Sequence, residues 1–355
     1  MADLKVLFLF GAGASYGSGE CAHLTARRLI RPPPLGAGDK GLVAVWERTN
    51  RTELLSEIPP SLRDVFRSNF EKGMAQLITV ENADRVDATN RFQVRLAEYF
   101  LKFAPTNSNL YSKLFSLLKS RNIRPVCVSL NYDVMAELAA HFAGFEVLPV
   151  LDDMNPITRH PWRGPADPTL GLPTVSFYKP HGSANYLPGS IASGKVRMFN
   201  PNFGVPLNGD GTASPGAYRR FGMVEPTACM KPEEALKLLA TGNGVPVMSM
   251  YVEGKMSIAS GHAIHQMMSR TTDALSKAKR IIVIGARVVK PEKVDGEPER
   301  RWHDKHLWDP VLSSGAQVHY CGDKESFGLL AQNGVKAHYL GSRFDGAMVE
   351  LRTIL

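Results

Sequence analysis

An apolar strand that ends on a glycine turn lies near the start of the chain. Val6 to Phe10 form a short apolar run without turn residues, and the run ends at Gly11-Ala12-Gly13-Ala14-Ser15. A run of this kind is typical of a strand buried on both faces. Glycine permits a tight turn and a close approach to a ligand, and Ser15 suits the N-cap of a following helix. Together these features predict a site for an anion such as pyrophosphate.

The spacing of the glycines separates this turn from two well-known phosphate-binding loops. Gly11, Gly13 and Gly17 form GxGxxxG rather than the GxGxxG of dehydrogenases, and the acidic residue expected about twenty positions later is missing. No Gly-Lys-Ser/Thr sequence follows, which excludes a P-loop. Binding of a nucleotide phosphate is our first interpretation, and a tight structural turn is the alternative.

The composition is that of a soluble globular protein. The 355 residues, 44% hydrophobic and 21% charged, suffice for one large domain or two modest ones. No apolar run approaches the roughly 18 residues of a membrane span, and the first run is too short for a secretory signal. We therefore expect a cytoplasmic protein without a membrane partner. The net charge of +8 is spread along the chain and does not indicate a nucleic-acid surface.

The spacing of cysteine and histidine disfavours a metal site. No CxxC pair occurs among the four cysteines, which excludes a zinc ribbon and disfavours a disulfide framework. These cysteines are Cys21, Cys127, Cys229 and Cys321. His262-xx-His265 and His303-xx-His306 have a spacing that could place two ligands on a helix face. Neither pair has a carboxylate or cysteine in the usual ligand pattern, so we expect no metal.

Predicted strands and helices alternate along most of the chain. Helices are predicted at residues 20–30, 111–120, 134–142 and 258–279. Strands are predicted at residues 5–10, 124–130, 146–151, 174–178, 280–286, 317–321 and 336–340. This alternation predicts an α/β fold, a Rossmann-like parallel sheet with helical insertions and no zinc ribbon. We expect a single domain over residues 1–355, with a helical insertion at about 43–118 and a loop-rich insertion at about 185–255.

Four residues suited to ligand binding follow predicted strands. Gly11, Asn131, His181 and Gly285 each lie at or just after the end of a strand. Because the carboxyl ends of parallel strands meet at one edge of a sheet, we expect these residues to surround one pocket. Taken alone, Asn131 could belong to a simple turn and His181 could be a hydrogen-bonded loop histidine.

Taken in order, four segments resemble the sirtuin superfamily, and most of all the bacterial sirtuin-like NAD hydrolases of antiphage defence. The segments are Gly11-Ala12-Gly13-Ala14-Ser15, Ser129-Leu130-Asn131-Tyr132-Asp133, Lys179-Pro180-His181-Gly182-Ser183 and Ile281-Ile282-Val283-Ile284-Gly285-Ala286. The resemblance implies that Gly11, Ala12, Gly13 and Ser15 cradle the NAD pyrophosphate. It places Ser129, Asn131 and Asp133 on the family's Thr-x-Asn-x-Asp motif, His181 in the active site, and Gly285 and Ala286 beside the adenosine ribose.

The resemblance also implies a reaction. NAD is the expected substrate, cleaved at the nicotinamide–ribose bond to nicotinamide and ADP-ribose or a cyclic isomer. Asn131 has the donor and acceptor to hold a water and the ribose hydroxyls, and His181 is suited to accept a proton. Asp133, through its side chain or backbone, could hold the nicotinamide amide.

Two departures from the family bear on this reaction. Ala286-Arg287 replaces the family's hydroxyl-bearing pair, and the zinc-binding cysteines of protein-deacylating sirtuins are missing. The second departure favours NAD hydrolysis over deacylation. The alternatives are a sensor that binds NAD or ADP-ribose without turnover, and a protein deacylase or ADP-ribosyltransferase. We expect an antiphage effector controlled by homo-oligomerisation or by an activator such as a separately encoded ATPase.

Overall fold

The computed structural model describes residues 6–23, 28–30, 58–68, 73, 76–77, 83–149, 173–188, 226–228, 236–237, 239, 248, 261–288, 292–293, 300–301 and 305–355. The strands are β1 (Val6–Phe10), β2 (Cys21–His23), β3 (Arg28–Ile30), β4 (Phe103–Pro105), β5 (Val126–Ser129), β6 (Glu146–Pro149), β7 (Thr174–Tyr178), β8 (Tyr186–Pro188), β9 (Pro226–Ala228), β10 (Arg280–Ile284), β11 (Glu292–Lys293), β12 (Arg300–Arg301), β13 (Gln317–Cys321) and β14 (Ala337–Gly341). The helices are α1 (Ala12–Tyr16), α2 (Pro60–Ser68), α3 (Ala83–Phe100), α4 (Leu110–Ser120), α5 (Met135–Phe142), α6 (Gly261–Lys277), α7 (Lys305–Ser313), α8 (Lys324–Gln332) and α9 (Phe344–Ile354).

A parallel sheet of seven described strands forms the centre of the protein. Its order is β14-β13-β10-β1-β5-β7-β6, and every neighbouring pair is parallel. All five residues of β1 are buried, as expected for the middle strand of a sheet covered on both faces. The predicted α/β fold with a Rossmann-like parallel sheet is confirmed.

The order of the strands reverses beside β1. The chain adds β5, β7 and β6 on one side of β1, and then returns to add β10, β13 and β14 on the other side. In open α/β sheets, ligands bind in the crevice at the carboxyl ends of the strands where the order reverses. Gly11 follows β1 and Gly285 follows β10, so both glycines border this crevice.

Two apolar layers cover the faces of the sheet. Alternate residues of β1 point to opposite faces, so Phe8 and Phe10 join one cluster while Leu7 and Leu9 join the other. The first cluster contains buried residues of α4, α5 and α9, and the second contains residues of α6, α7 and α8. The sheet is therefore fixed from both sides, and the loops at its carboxyl edge project from a rigid support.

The helix predicted over residues 20–30 is wrong. Two antiparallel strands, β2 and β3, occupy the described part of this stretch. β2 also pairs with β4 in the register Cys21↔Pro105, and Gly19 takes a positive φ of 93° that turns the chain into β2. Pairing with a strand some eighty residues away therefore outweighs the local helical pattern, an outcome that local sequence does not reveal.

The remaining long elements follow the predictions. Helices α4, α5 and α6 and strands β5, β7, β10, β13 and β14 begin and end within about three residues of predicted segments. The expected helical insertion contains α2 and α3 but also β4, and much of the expected loop-rich insertion lies outside the described residues. The single domain and its two insertions stay predictions. No helix among the described residues has the length and apolar character needed to cross a membrane.

Candidate active site

The glycine turn after β1 packs directly on the backbone after β10. The Gly11 amide donates to the carbonyl of Ile284 and the Gly13 amide donates to the carbonyl of Gly285, each at 2.9 Å. A Cβ atom at residue 11 would overlap the backbone of Ala286. Residues 11–13 and 285–286 therefore form one backbone unit. The Gly13 amide, part of the turn predicted to bind an anion, already donates within this unit.

The glycine requirement is strongest at Gly285. This residue has φ +65°, and a Cβ atom there would overlap the backbone of Ala14. We expect Gly285→Ala to lower the free energy of unfolding by about 1–2 kcal/mol for the backbone conformation and about 1–3 kcal/mol for overpacking. Gly315 is the matched control, because its φ is +67° and a Cβ atom there meets nothing within 4 Å. Urea denaturation of both variants measures the difference, and equal losses would contradict close packing at residue 285.

The predicted N-cap at Ser15 is wrong. Helix α1 begins at Ala12 with Gly11 as its N-cap, one residue after the strand ends. Ser15 lies inside this short helix and is fully buried. Its Oγ contacts the Asn131 Nδ2 at 2.9 Å and the Tyr111 hydroxyl at 3.1 Å. The start of the helix leaves Ser15 facing the interior, where it supports another side chain of the site.

Asn131 is held by its amide nitrogen, while its amide oxygen has no partner among the described residues. Its Nδ2 donates to the Gly11 carbonyl and to Ser15 Oγ, both at 2.9 Å. Because a carbonyl can only accept, the nitrogen must face Gly11, and both of its hydrogens are used. The buried Oδ1 accepts no hydrogen bond from the described part of the chain. The sequence predicts that the Asn131 amide offers a ligand both a donor and an acceptor. Because both hydrogens of Nδ2 are bonded within the protein, only the Oδ1 acceptor is left for a ligand.

The backbone of Asn131 is also fixed. Its amide donates to the Ser129 Oγ at 3.3 Å, so this serine supports the loop at the end of β5. The Leu130 amide donates to the Phe10 carbonyl at 2.9 Å, which joins the end of β5 to the end of β1. The side chain of Ser129, expected to contact NAD, already has a partner within the protein.

Asp133 is buried and its contacts lie inside the protein. Its Oδ1 accepts from the Met135 amide at 3.0 Å at the start of α5, and its carbonyl accepts from Lys179 Nζ. Burial raises the pKa of Asp133 from 3.8 to about 6, while Lys179, the Met135 amide and the Ser15 hydroxyl oppose this rise. The expected contact with nicotinamide stays a prediction.

The raised pKa of Asp133 makes the protein less stable as the pH rises from 4 to 6. The folded state binds this proton more tightly than the unfolded chain does. The free energy of unfolding therefore falls by up to about 3 kcal/mol as Asp133 ionises. This loss is absent below pH 4 and complete above pH 6. Asp133→Asn keeps an acceptor for Met135 and removes the titration. We expect its free energy of unfolding to depend less on pH across this window than that of the wild type, measured by urea denaturation.

The control for this prediction is Asp273→Asn. Asp273 forms an exposed ion pair with Lys277, and such pairs contribute little to stability. This variant should retain the pH dependence of the wild type. An Asp133→Asn variant that retains it as well would contradict the raised pKa.

A buried ion pair connects the loop after β7 to helix α5. Lys179 Nζ lies 2.6 Å from Glu137 Oε1, and the two side chains are 0% and 4% exposed. Neither residue is among the predicted site residues. The sequence does contain one signal for this ion pair. Glu137 lies among the apolar residues of the predicted helix 134–142, and a carboxylate buried there requires a charged or hydrogen-bonding partner.

His181 lies beside the Asn131 loop. The Ala184 amide and the Ser183 hydroxyl both donate to the Tyr132 carbonyl, at 2.9 and 3.3 Å, so the loops after β5 and β7 are joined. The His181 side chain is 1% exposed, and its ring centroid lies 6.0 Å from that of His306. The structure therefore brings Gly11, Asn131, His181 and Gly285 to the same edge of the sheet.

His306 is a residue of this region that sequence reasoning missed. It lies at the start of α7 and was considered only as a metal ligand paired with His303, which lies outside the described residues. The spacing within 303–306 carries no information about His181, 125 positions earlier. Within the described ranges, no group of three or more His, Cys, Asp or Glu side chains could hold a metal ion. The expectation of no metal stays a prediction.

A cleft of about 200 Å³ opens beside the glycine unit, at the ends of β10 and β13. Its lining includes Gly13, Gly285, Arg287 and Asp323. Tyr320 also lines it and donates its hydroxyl to the Ala286 carbonyl at 2.8 Å. The cleft lies next to Gly285 and Ala286, the two residues that the resemblance places beside the adenosine ribose.

No family model matches the chain, and no curated protein matches it. Among solved structures, a Sir2 homologue in complex with NAD shares 14% identity and a TM-score of 0.38, over 99% of this chain and 88% of that chain. A mutant Sir2 homologue in complex with ADP-ribose shares 14% identity and a TM-score of 0.39, over 98% and 90%. Sir2Tm bound to a propionylated peptide shares 13% identity and a TM-score of 0.37, over 98% and 92%. Values of this size do not assign the chain to a family.

Proposed function

We propose that the protein binds NAD at the carboxyl edge of the sheet and hydrolyses its nicotinamide–ribose bond. The observation that carries this proposal is the amide of Asn131. Gly11 and Ser15 take both of its hydrogens, which leaves a buried acceptor beside the glycine turn. An acceptor that no described residue satisfies is costly unless a ligand or water uses it.

The proposed reaction suits this acceptor. Cleavage of the glycosidic bond leaves positive charge on the ribose while neutral nicotinamide departs. A water adds to the ribose carbon, and the Asn131 Oδ1 accepts a hydrogen bond from this water or from a ribose hydroxyl. His181 accepts the proton that the water loses. One NAD and one water thus give nicotinamide, ADP-ribose and a proton. When a group of the substrate attacks in place of water and loses its proton, no water is consumed and the second product is the cyclic form.

The chain offers distinct surfaces to the rest of NAD. In this proposal the pyrophosphate lies against the turn at residues 11–13, which includes Ala12, and the adenosine ribose lies near Gly285 and Ala286. The cleft lined by Arg287 and Asp323 then receives the adenosine. Ser15, Ser129 and Asp133 act by shaping the site, because their side chains have partners within the protein.

Chromatography of NAD incubated with the purified protein tests the proposal. We expect nicotinamide to accumulate in equal amount to the NAD consumed, together with ADP-ribose or its cyclic isomer. NAD binding, measured by calorimetry, without any consumption would contradict hydrolysis and indicate a sensor. Consumption only in the presence of an acyl-lysine peptide would indicate a deacylase.

We also propose that assembly or a partner controls the activity. An uncontrolled NAD hydrolase would deplete the NAD of its own cell, so an antiphage effector in the cytoplasm requires a trigger. We expect the specific activity to rise with protein concentration, or on addition of an activator such as a separately encoded ATPase. Full turnover by a dilute monomer would contradict this proposal.

A further inference from the structure

Tyr111 brings a buried hydroxyl to the candidate site from the core. It is fully buried in α4, and its ring meets Phe10 and Phe344 edge-on, with centroids 5.2 and 5.5 Å apart. Its hydroxyl lies 3.1 Å from Ser15 Oγ. A buried tyrosine requires a hydrogen-bond partner for its hydroxyl, and here the partner is the serine that holds Asn131.

The hydrogen bonds around Ser15 form one connected chain of side chains. Ser15 Oγ accepts from Asn131 Nδ2 at 2.9 Å, because an amide nitrogen can only donate. The same Oγ shares a hydrogen bond with the Tyr111 hydroxyl, in which either hydroxyl can donate. Burial raises the pKa of Tyr111 well above its usual range, which keeps its hydroxyl protonated at neutral pH.

These two contacts hold the Ser15 hydroxyl between Asn131 and Tyr111. Its Oγ is fully buried and lies 2.9 Å from Asn131 Nδ2 and 3.1 Å from the Tyr111 hydroxyl. An oxygen held in this place accepts from the nitrogen of the Asn131 amide, and so keeps the Oδ1 turned away from Ser15.

We propose that Tyr111 is a positioning residue that acts through Ser15 to keep the Asn131 acceptor directed at the substrate. The proposal rests on the proposed function, because it assigns Tyr111 to the same reaction. Without the phenol hydroxyl, Ser15 Oγ loses one of its two side-chain partners and can rotate. The Asn131 amide then has a weaker anchor and presents its acceptor for a smaller fraction of the time.

Tyr111→Phe tests the proposal, since it removes only the hydroxyl and keeps the ring between Phe10 and Phe344. A hydrogen bond is worth about 1 kcal/mol, so we expect kcat to fall by about fivefold. The affinity for NAD should change by less than about twofold, because Tyr111 bonds no backbone group of the glycine turn. Tyr99→Phe is the matched control, because Tyr99 is also buried among aromatic rings and is expected to leave kcat unchanged.

A double-mutant cycle separates positioning from general destabilisation. If Tyr111 acts through Ser15, adding Tyr111→Phe to Ser15→Ala should lower kcat by less than about a further twofold. Effects that multiply independently would overturn the proposal. A fall in kcat that Tyr99→Phe reproduces would overturn it as well.

The side-chain amide resonances of Asn131 give a readout that does not depend on NAD cleavage. They are assigned by their loss in Asn131→Ala. In Tyr111→Phe we expect these resonances to shift and their hydrogens to exchange faster, while Tyr99→Phe leaves them unchanged. Unchanged resonances in Tyr111→Phe would overturn the positioning role. If the resonances respond and no variant, including the wild type, cleaves NAD, the proposed function fails while the coupling of Tyr111 to Asn131 stands.

Discussion

Alanine at Asn131 is expected to slow NAD cleavage by about 10²–10⁴-fold. The change removes the buried Oδ1 acceptor and both hydrogen bonds of Nδ2, so neither the attacking water nor the ribose is held in place. The affinity for NAD should fall far less, because the Gly11 and Gly13 amides still donate to the Ile284 and Gly285 carbonyls when the Gly11 carbonyl loses Asn131. NAD consumption and calorimetric binding, measured on the same preparation, separate the two effects.

His181→Ala is expected to slow cleavage by a comparable factor, since it removes the proposed proton acceptor. Both side chains act on the same transition state, so the double variant should be little slower than the slower single variant. The matched controls are Asn333→Ala and His338→Ala, which replace the same residue types at exposed positions elsewhere. These two controls should retain the wild-type rate.

Two outcomes would contradict the active-site assignment. A folded Asn131→Ala or His181→Ala variant with wild-type turnover would exclude that residue from the reaction. A loss of NAD binding as large as the loss of turnover would show that the residue binds the substrate and does not act in the chemical step.

The central sheet could be predicted because each of its buried parallel strands carries a local signal. β1, β5 and β10 are short, nearly uninterrupted apolar runs, and such runs occur where helices cover both faces of a sheet. The position of Gly11, Asn131, His181 and Gly285 follows from the same signal, because each residue comes at or just after the end of its strand. The edge they share is then fixed by the parallel direction of the strands.

Features that depend on distant pairing left no local signal. β2 requires a partner strand some eighty residues away, and the short stretch resembles a helix without it. Ser15 and Tyr111 are 96 residues apart, and nothing in either segment predicts their contact. The direction of the Asn131 amide depends on both partners of its nitrogen, so the sequence alone could not decide which amide atom is left without a partner in the protein.

Lys179→Met is expected to lower the free energy of unfolding by about 3–5 kcal/mol. Lys179 is fully buried, and its Nζ donates to the Glu137 carboxylate and to the Asp133 carbonyl. Methionine fills much of the same space but leaves the Glu137 carboxylate buried without its cation. The Glu137 Oε2 accepts no hydrogen bond within the described part of the chain. No second partner there compensates the carboxylate for the loss of Lys179.

The double variant Lys179→Met/Glu137→Leu should regain most of the lost stability, because replacing both members of a buried ion pair by apolar residues removes the unpaired charge. Urea denaturation of the wild type, the single variant and the double variant measures this recovery. If the single variant is as stable as the wild type, the ion pair does not contribute to the free energy of unfolding as expected. If the double variant is as unstable as the single one, the loss comes from packing and not from the unpaired charge.

The same double variant separates the stability of the fold from the function of the site. Lys179 also holds the Asp133 carbonyl, and so joins the loop that carries His181 to the loop that carries Asn131. Apolar residues restore the packing but cannot make this hydrogen bond. We therefore expect the double variant to unfold near the wild-type urea concentration and still cleave NAD about tenfold more slowly, in line with the loss of one positioning contact. Wild-type turnover in a stable double variant would show that the ion pair serves only the fold.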